Sequence, residues 1–286
     1  MHGMIADMKI ATQGVAGSFH HQATNELFEG QDYQIIDAAT FRDVFQMVKD
    51  GTADFGVVAV ENSLHGSINP VYRLLASKKL QVCGERRLHI SLCLIGHSTM
   101  TIQSVNSSGV EVLSQREALS QCEQWFIDNI ENATVKEMND TAEAVRFVMN
   151  DTSKQKVAVG SAEAARLYGG TIIAEPINDE LQNYTRFLCI TKPSPQPKDA
   201  DRTSIIISGG LDRPGLLHDA LGAFAKKGIN LSKLDSHPLP GKERSYAMYI
   251  DFEAPLEDST TKSVLEELKK QGWNVQVLGS YKSHKH

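Results

Sequence analysis

Short apolar runs and amphipathic segments alternate through the first two thirds of the chain. From Phe41, apolar residues recur at the spacing of one helix face, between the cap-forming Thr40 and Gly51. The apolar runs 55–60 and 157–159 each predict a short buried strand. Strands that alternate with helices favour an α/β architecture with largely parallel sheets. The length of this region favours two lobes with a cleft between them.

Further helix starts can be placed from capping residues. Asn69-Pro70 opens a helix with proline in its first turn, and Ser114 with Glu117 has the spacing of a capping box. Asp140 with Glu143 repeats this spacing, and Ser161 precedes a helix that ends at Gly169-Gly170. The sequence therefore predicts four more helices in this region.

A polar segment with three prolines, residues 191–202, separates two units. Such a segment forms neither strand nor helix and is typical of a semi-rigid linker. We therefore predict a first domain at 8–190, this linker, and a second domain at 203–281.

The second domain has an order of elements that the pattern predicts directly. Strands and helices follow one another as βαββαβ, the split ferredoxin-like arrangement. The predicted strands are 204–207, 231–236, 245–252 and 274–278, the predicted helices are 215–227 and 259–270, and Pro240-Gly241 forms a turn.

Composition narrows the class of protein. The 286 residues are 41% hydrophobic and 22% charged, with a formal net charge of −6, so a globular protein is expected and nucleic-acid or anionic-membrane partners are not. Four scattered cysteines lack metal-ligand spacing and favour buried free thiols. No apolar run approaches the ~20 residues that span a bilayer, and no secretory leader is visible, so a cytoplasmic location is expected.

Three segments of the first domain carry more small polar residues than packing requires. They are a glycine loop at 14–19 before a helix, the run 61–67 directly after a strand, and 183–187 before another strand. Helix starts and the carboxyl ends of strands are where α/β proteins bind anions and ligands. Taken one at a time, the three segments also fit an ordinary turn, a solvated loop and a surface arginine.

Together these segments resemble the prephenate dehydratase family over nearly the whole chain, and the C-terminal unit is similar to the ACT regulatory domain that follows the catalytic domain there. The resemblance implies a two-lobed, periplasmic-binding-protein-like catalytic domain. The matching residues are Gly14 to Phe19; Glu61, Asn62, Ser63 and Gly66; Ser114, Ala118, Leu119, Gln121 and Cys122; and Asn183, Thr185, Arg186 and Phe187.

The implied activity is that of a carbon–oxygen lyase. It would convert prephenate to phenylpyruvate in phenylalanine biosynthesis, with loss of CO₂ and water and without a metal or cofactor. Thr185 would donate to the departing hydroxyl, Arg186 would hold a carboxylate, and Phe187 and Phe19 would wall the ring. Further candidate ligands are Ser18, Glu61, Asn62, Ser63, Gly66, Ser161 and Asn183. An ionised Glu61 would repel a dianion, so an orienting role is favoured for it.

Histidines are expected to be structural, including His20 and His21 at the start of a helix. His65 lies inside the second polar segment, where the family requires no histidine.

The ACT resemblance implies phenylalanine feedback and pairing into a homodimer or homotetramer. The implied effector site lies between the start of one helix and a strand of the neighbouring copy, where Asp235 would meet the ligand's ammonium group. Asp235 and His237 stand where the family has Glu and Arg, so the strength of feedback is an open point. A dimerisation unit without sensing is the alternative. The effector-site residues are Gly215, Leu216, Leu217, Leu234, Asp235, Ser236 and His237.

Three other functions stay open at this point. A two-lobed protein could bind an amino acid without catalysis, although the intact segment 185–187 argues against that. Relatives that decarboxylate prephenate without aromatisation lack the threonine and the ACT unit. Arogenate, the transaminated analogue of prephenate, could be the preferred substrate.

Overall fold

A computed structural model describes residues 8–153, 155–209, 213–238 and 246–284. The predicted turn at Pro240-Gly241 lies outside these ranges. Within them the chain forms two α/β lobes and a C-terminal domain, each built on its own sheet.

The first lobe is built on a sheet with the strand order β2-β1-β3-β11-β5, and the short β4 pairs with β3. Its strands are β1 Met8–Gln13, β2 Tyr33–Ala38, β3 Phe55–Asn62, β4 Gly66–Ser67, β5 Gln81–His89 and β11 Tyr184–Thr191, and its helices are α1 Phe19–Leu27, α2 Phe41–Asp50 and α3 Asn69–Lys78.

The second lobe occupies the segment between β5 and β11, and its sheet has the order β10-β6-β9-β7-β8. Its strands are β6 Cys93–Gly96, β7 Glu111–Gln115, β8 Thr134–Met138, β9 Lys156–Gly160 and β10 Thr171–Ala174, and its helices are α4 Ile102–Ser108, α5 Arg116–Ser120, α6 Glu123–Asn129, α7 Thr141–Asn150 and α8 Ala162–Tyr168.

Helix starts follow the predicted caps, with one exception. The Thr40 hydroxyl accepts from the Asp43 backbone N–H, and the Asp140 carboxylate accepts from two N–H groups of α7. The capping box predicted at Ser114 is wrong. Ser114 is buried in β7 and donates to the Val159 carbonyl at 2.7 Å, because the strand continues to Gln115 before α5 begins.

Both sheets are mixed, which corrects the prediction of largely parallel sheets. β1 pairs in parallel with β2 and β3, but β11 runs antiparallel to both β3 and β5. The reason is the way the chain crosses between the lobes. It leaves the first lobe at the end of β5 and returns at the start of β11, so these two neighbouring strands run in opposite directions.

The C-terminal domain has the predicted βαββαβ order and a fully antiparallel sheet, β13-β14-β12-β15. One sheet face packs on two helices in a core that contains Phe224, Phe252 and Leu268. Its elements are β12 Arg202–Gly209, α9 Leu216–Ala225, β13 Leu231–Pro238, β14 Tyr246–Phe252, α10 Ser259–Lys270 and β15 Trp273–Tyr281.

The other face of the C-terminal sheet packs on the first lobe. Ile206, Tyr249 and Tyr281 belong to one apolar cluster with Phe45 and Leu75 of that lobe. The edge strand β15 lies against the edge strand β5, so the two sheets meet side by side. The C-terminal domain is thus part of a continuous core.

Two predictions from composition can be compared with the structure. All four cysteines are free, and Cys93, Cys122 and Cys189 are buried as predicted. Across the described ranges, no helix combines the length and the apolar character needed to cross a bilayer.

Candidate active site

A cavity of about 560 Å³ lies between the two lobes. Both lobes contribute to its wall, together with Ile90 and Leu92 of the segment that joins β5 to β6. Among the lining residues are Ser18, Phe19, His20, Phe41, Asn62, His65, Gly66, Ser67, Ile90, Leu92, Gln115, Gln121, Asp140, Thr141, Thr185 and Phe187. Members of all three polar segments therefore meet in one cleft.

Thr185 and Asn62 face each other across adjacent strands at the cleft. The two residues are register partners of β11 and β3, and Asn62 Nδ2 lies 3.0 Å from Thr185 Oγ1. The amide donates and the hydroxyl oxygen accepts, so the hydroxyl hydrogen is left to point elsewhere. Among the described residues it has no acceptor. Thr185 is thus arranged to donate into the cleft.

Asn183 connects this pair to the second lobe. Its side chain is fully buried, accepts from Asn62 Nδ2 at 2.8 Å and donates to Gln121 Oε1 at 2.8 Å. A buried amide with both ends bonded is held in one orientation. Asn183 therefore fixes Asn62 and, through it, Thr185.

Aromatic side chains form the apolar wall of the cleft. Phe187 lies on the same strand face as Thr185, two residues further along, and it is almost completely buried. The His20 ring packs edge-on against Phe187 at 5.1 Å between centroids and lies 5.7 Å from the Phe41 ring.

His20 is a cleft residue that the sequence did not reveal. Burial, and secondly the neighbouring His21, lower the pKa of His20 to about 3, so its imidazole is neutral near pH 7. Its Nε2 is shielded from solvent and has no hydrogen-bond partner among the described residues. The available signal was its place in the first turn of a helix that starts at the glycine loop. His21, by contrast, pairs with Asp37 at 2.7 Å and is structural, as expected.

Helix starts, rather than cationic side chains, are the candidate anion-binding groups of the cleft wall, which also carries the carboxyl groups of Glu117 and Asp140. None of the described lining residues is a lysine or an arginine, but α1, α3 and α7 all begin at the cavity. Helix N-termini carry partial positive charge and unpaired N–H groups. Burial also raises the pKa of Asp140, despite its two backbone hydrogen bonds.

Arg186 does not line the cleft, which corrects the prediction that it holds a substrate carboxylate. Successive side chains of a strand point to opposite faces, so Arg186 points away from the face that carries Thr185. Its guanidinium is buried and pairs with Glu85 of β5 at 2.6 Å and with Asp251 of β14 at 2.5 Å.

Glu61 and Ser63 also face away from the cavity. Glu61 pairs with Lys233 of the C-terminal domain at 2.7 Å, so its partner is a lysine, and its orienting role stays a prediction. Ser63 donates to the Gln182 carbonyl at 3.1 Å and accepts from the Tyr184 N–H at 2.9 Å. It ties the loop after β3 to the start of β11.

The two remaining serines cap helices. Ser18 lines the cleft while it accepts from the His21 N–H at 3.3 Å. Ser161 caps α8 and donates to the Gly17 carbonyl at 2.7 Å. Ser161 lines a larger groove of about 750 Å³ instead, between Arg86 and Glu163. That groove lacks Thr185 and Asn62, so we assign the site to the smaller cavity.

The predicted effector residues divide between two faces of the C-terminal sheet. Leu217 and Leu234 are exposed, and Leu234 and Ser236 pair with residues of β14 whose side chains lie on the helix side. Asp235 points the other way, toward the first lobe, where it accepts from the Ser67 hydroxyl and lies 3.2 Å from His237 Nε2. This corrects the expectation that Asp235 is free to meet a ligand's ammonium group.

Gly215 and Leu216 mark the start of α9. Gly215 is the N-cap in a left-handed conformation, with φ of 80°, and Leu216 packs partly against the helix-side core. His237 stacks on Tyr72 of the first lobe at 5.5 Å between ring centroids, so it belongs to the domain contact.

Comparison with known proteins identifies the family of this chain. Residues 10–195 match the family model of prephenate dehydratase, and residues 203–272 match that of the ACT domain. The chain belongs to the prephenate dehydratase family. The predicted enzyme class and the predicted two-domain architecture are thereby confirmed.

Individual relatives of the dehydratase family cover nearly the whole chain. A bifunctional chorismate mutase/prephenate dehydratase of Aquifex aeolicus is 36% identical over 274 residues, which are 96% of this chain and 73% of that protein. Arogenate dehydratase 2 of Petunia hybrida is 33% identical over 295 residues, or 96% of this chain and 72% of that protein.

A solved member of the dehydratase family shows the same fold. The prephenate dehydratase of Arthrobacter aurescens, solved in complex with L-Phe, superposes with a TM-score of 0.85 at 24% identity, over 96% of this chain and 90% of that one. The four-stranded sheet with two helices described above is thus the ACT domain of this chain.

Proposed function

We propose that this enzyme converts prephenate to phenylpyruvate, and that Thr185 donates to the hydroxyl that leaves. The observation that carries the proposal is the Thr185–Asn62 pair at the cleft, beside an aromatic wall that suits a six-membered ring. Family membership supplies the reaction class.

The chemistry needs a donor at one oxygen. The bond between the ring and its carboxylate breaks to release CO₂, its electrons enter the ring, and the C–O bond to the ring hydroxyl breaks. The departing oxygen takes up a proton and leaves as water. Hydroxide is a poor leaving group, so a hydrogen bond that strengthens as the C–O bond breaks lowers the barrier. Because Thr185 Oγ1 accepts from Asn62, its own O–H is a better donor.

The two carboxylates of prephenate need a holder other than Arg186. Helix starts at the cleft supply N–H groups, and α3 begins without a side-chain cap that would compete for them. Burial raises the pKa of the nearby Asp140, and a bound dianion would raise that pKa further. Ser18, Asn62 and Gly66 remain proposed substrate contacts.

The decisive variant is Thr185→Val, which removes the hydroxyl and keeps the shape. Asn62 Nδ2 retains Asn183 Oδ1 at 2.8 Å, so we expect the fold to lose only about 1 kcal/mol. We expect kcat to fall by about 10²–10⁴-fold, the usual contribution of a positioned donor. Thr185→Ser, which keeps the hydroxyl, is the matched control. Near-normal turnover of the valine variant, measured by phenylpyruvate absorbance, would refute the role.

Arogenate is the second candidate substrate, because a relative of similar identity is named arogenate dehydratase. The departing groups are the same in both substrates. The two differ only in the three-carbon group, where arogenate carries an amino group and prephenate a keto group. Initial rates with prephenate and with arogenate at equal concentration separate the two: the preferred substrate gives the larger kcat/KM.

We also propose that the ACT domain binds L-phenylalanine, in a homodimer or homotetramer in the cytoplasm. Support comes from the ACT match and from the solved relative in complex with L-Phe. The candidate contacts are Gly215, Leu216, Leu217, Leu234 and Ser236. Calorimetric titration with L-phenylalanine should show binding heat, and turnover measured with added L-phenylalanine should be reduced. The absence of both effects would favour a dimerisation unit without sensing. Sedimentation equilibrium would give the oligomeric state.

A further inference from the structure

Two successive pairs of register partners on β3 and β11 point their side chains to opposite sides of the same sheet. Asn62 pairs in register with Thr185 at the cleft, and the next pair, Glu61 with Arg186, faces the ACT domain. Each residue of the cleft pair is thus covalently adjacent to a charge on the other side. Any force on Glu61 or Arg186 acts on the backbone that carries Asn62 or Thr185.

The ACT domain presents a matching pair. Lys233 of β13 and Asp251 of β14 are register partners in its sheet. Lys233 Nζ lies 2.7 Å from Glu61 Oε2, and Asp251 Oδ2 lies 2.5 Å from Arg186 Nη1. Four alternating charges therefore join two strands of the catalytic sheet to two strands of the ACT sheet.

Three of these four charges are shielded from water. The side chains of Arg186, Asp251 and Lys233 are 10%, 9% and 12% exposed, whereas Glu61 is 38% exposed. Charges that are buried in this way are weakly screened and tolerate little change in separation. The contact is therefore stiff.

A second contact reaches the cleft from the same ACT strand. Lys233 Nζ also donates to Ser67 Oγ at 3.0 Å, and Ser67 donates to Asp235. Ser67 itself lines the cleft. The hairpin of β3 and β4, which carries both Asn62 and Ser67, is thus held at two points by β13.

We propose that Glu61 and Arg186 are positioning residues, through which Lys233 and Asp251 of the ACT domain hold Asn62 and Thr185 at their catalytic separation. Their effect on kcat rests on the proposed function. A ligand that shifts β13 or β14 acts on turnover through these two ion pairs. Neither Glu61 nor Arg186 touches the substrate.

Lys233→Met is the variant that tests this proposal. It removes one charge of the set and leaves Glu61 with enough exposure to be hydrated, whereas loss of Arg186 would leave Asp251 buried without its cationic partner. The matched control is Lys262→Met, which breaks an exposed ion pair with Glu257 on the same domain.

We expect Lys233→Met to lower kcat by about 2- to 30-fold with KM nearly unchanged, and Lys262→Met to leave both unchanged. If Lys233 acts through Glu61, kcat of the Glu61→Gln/Lys233→Met double variant falls no further than kcat of the more strongly affected single variant. Hydrogen exchange at peptides 59–68 and 184–191 should be faster in Lys233→Met than in the control.

The outcomes separate the two proposals. An active enzyme whose kcat is unaffected by Lys233→Met, or whose two single losses simply add, overturns the positioning role and leaves the proposed reaction standing. If the wild-type chain converts neither prephenate nor arogenate, the proposed reaction fails. Hydrogen exchange then decides the structural part: equal exchange in both variants overturns it, and faster exchange in Lys233→Met supports it.

Discussion

Gly279 allows the ACT sheet to lie edge to edge with the catalytic sheet. An added Cβ at Gly279 would lie 2.0 Å from the Val82 carbonyl oxygen and 2.9 Å from the Val82 carbonyl carbon. Ordinary contact begins at 3.4 Å, so β15 and β5 would have to separate by 3.4 − 2.0 = 1.4 Å at this point. Both clashing atoms belong to the backbone, and no side-chain rotation can relieve the overlap.

Gly279→Ala should therefore destabilise the whole molecule. Overpacking of a rigid contact costs about 1–3 kcal/mol, and each kcal/mol lowers Tm by about 2–4 °C in a large domain. The φ of Gly279 lies outside the left-handed region, so alanine adds no backbone strain of its own. Thermal unfolding followed by circular dichroism measures the effect, and steady-state turnover shows whether the displaced sheet reaches the active site.

Gly222→Ala is the matched control, since it makes the same chemical change in the same domain. An added Cβ at Gly222 meets nothing within 4 Å, and alanine favours the helix α9 by about 0.5–1 kcal/mol. Its Tm should stay equal or rise. If the two variants melt at the same temperature as the wild type, the edge-to-edge contact is not as close as described.

Two further predictions concern the cleft. Gly14→Ala forces a side chain into φ of 91° and places its Cβ 2.5 Å from Asp140 Oδ2; Tm should fall and KM should rise, and unchanged kinetics would contradict the placement of Asp140 at the cleft. The pKa of His20 is about 3 in the folded protein against an ordinary value of 6.5, so below pH 6.5 the unfolded chain takes up a proton that the folded chain does not bind. The stability that His20 contributes is present above pH 6.5 and is lost toward pH 3, by up to about 1.4 kcal/mol per pH unit. Urea midpoints should therefore fall less between pH 7 and pH 5 in His20→Phe than in wild type, and equal slopes would show that His20 is solvated.

Period-two alternation explains where sequence reasoning about the site succeeded and where it failed. The apolar pattern predicts a strand that starts only after Phe187, but β11 already begins at Tyr184. With the motif inside the strand, Thr185 and Phe187 must share one face and Arg186 must take the other. Strand alternation alone therefore predicts that Arg186 points away from the cleft, once the motif is placed inside the strand.

Other features depend on pairings that no local pattern reveals. Asn62 reaches Thr185 only because β3 and β11 are neighbours, although 123 positions separate the two residues. Arg186 is neutralised by Asp251, 65 positions away and in another domain. Helix caps such as Thr40 were predictable because both partners lie within one turn. Long-range partners needed the assembled sheets.

The apolar layer between the ACT sheet and the first lobe joins the ACT domain to the catalytic domain in one continuous core. Among the described residues, the first lobe covers Ile206, Tyr249, Leu278 and Tyr281 on that face. Excision of the ACT domain at the linker would expose apolar surface on both fragments and leave the buried Arg186 and Asp251 without each other. The protein should consequently melt in a single calorimetric transition. The ACT domain should not serve as a module that can be moved to another enzyme.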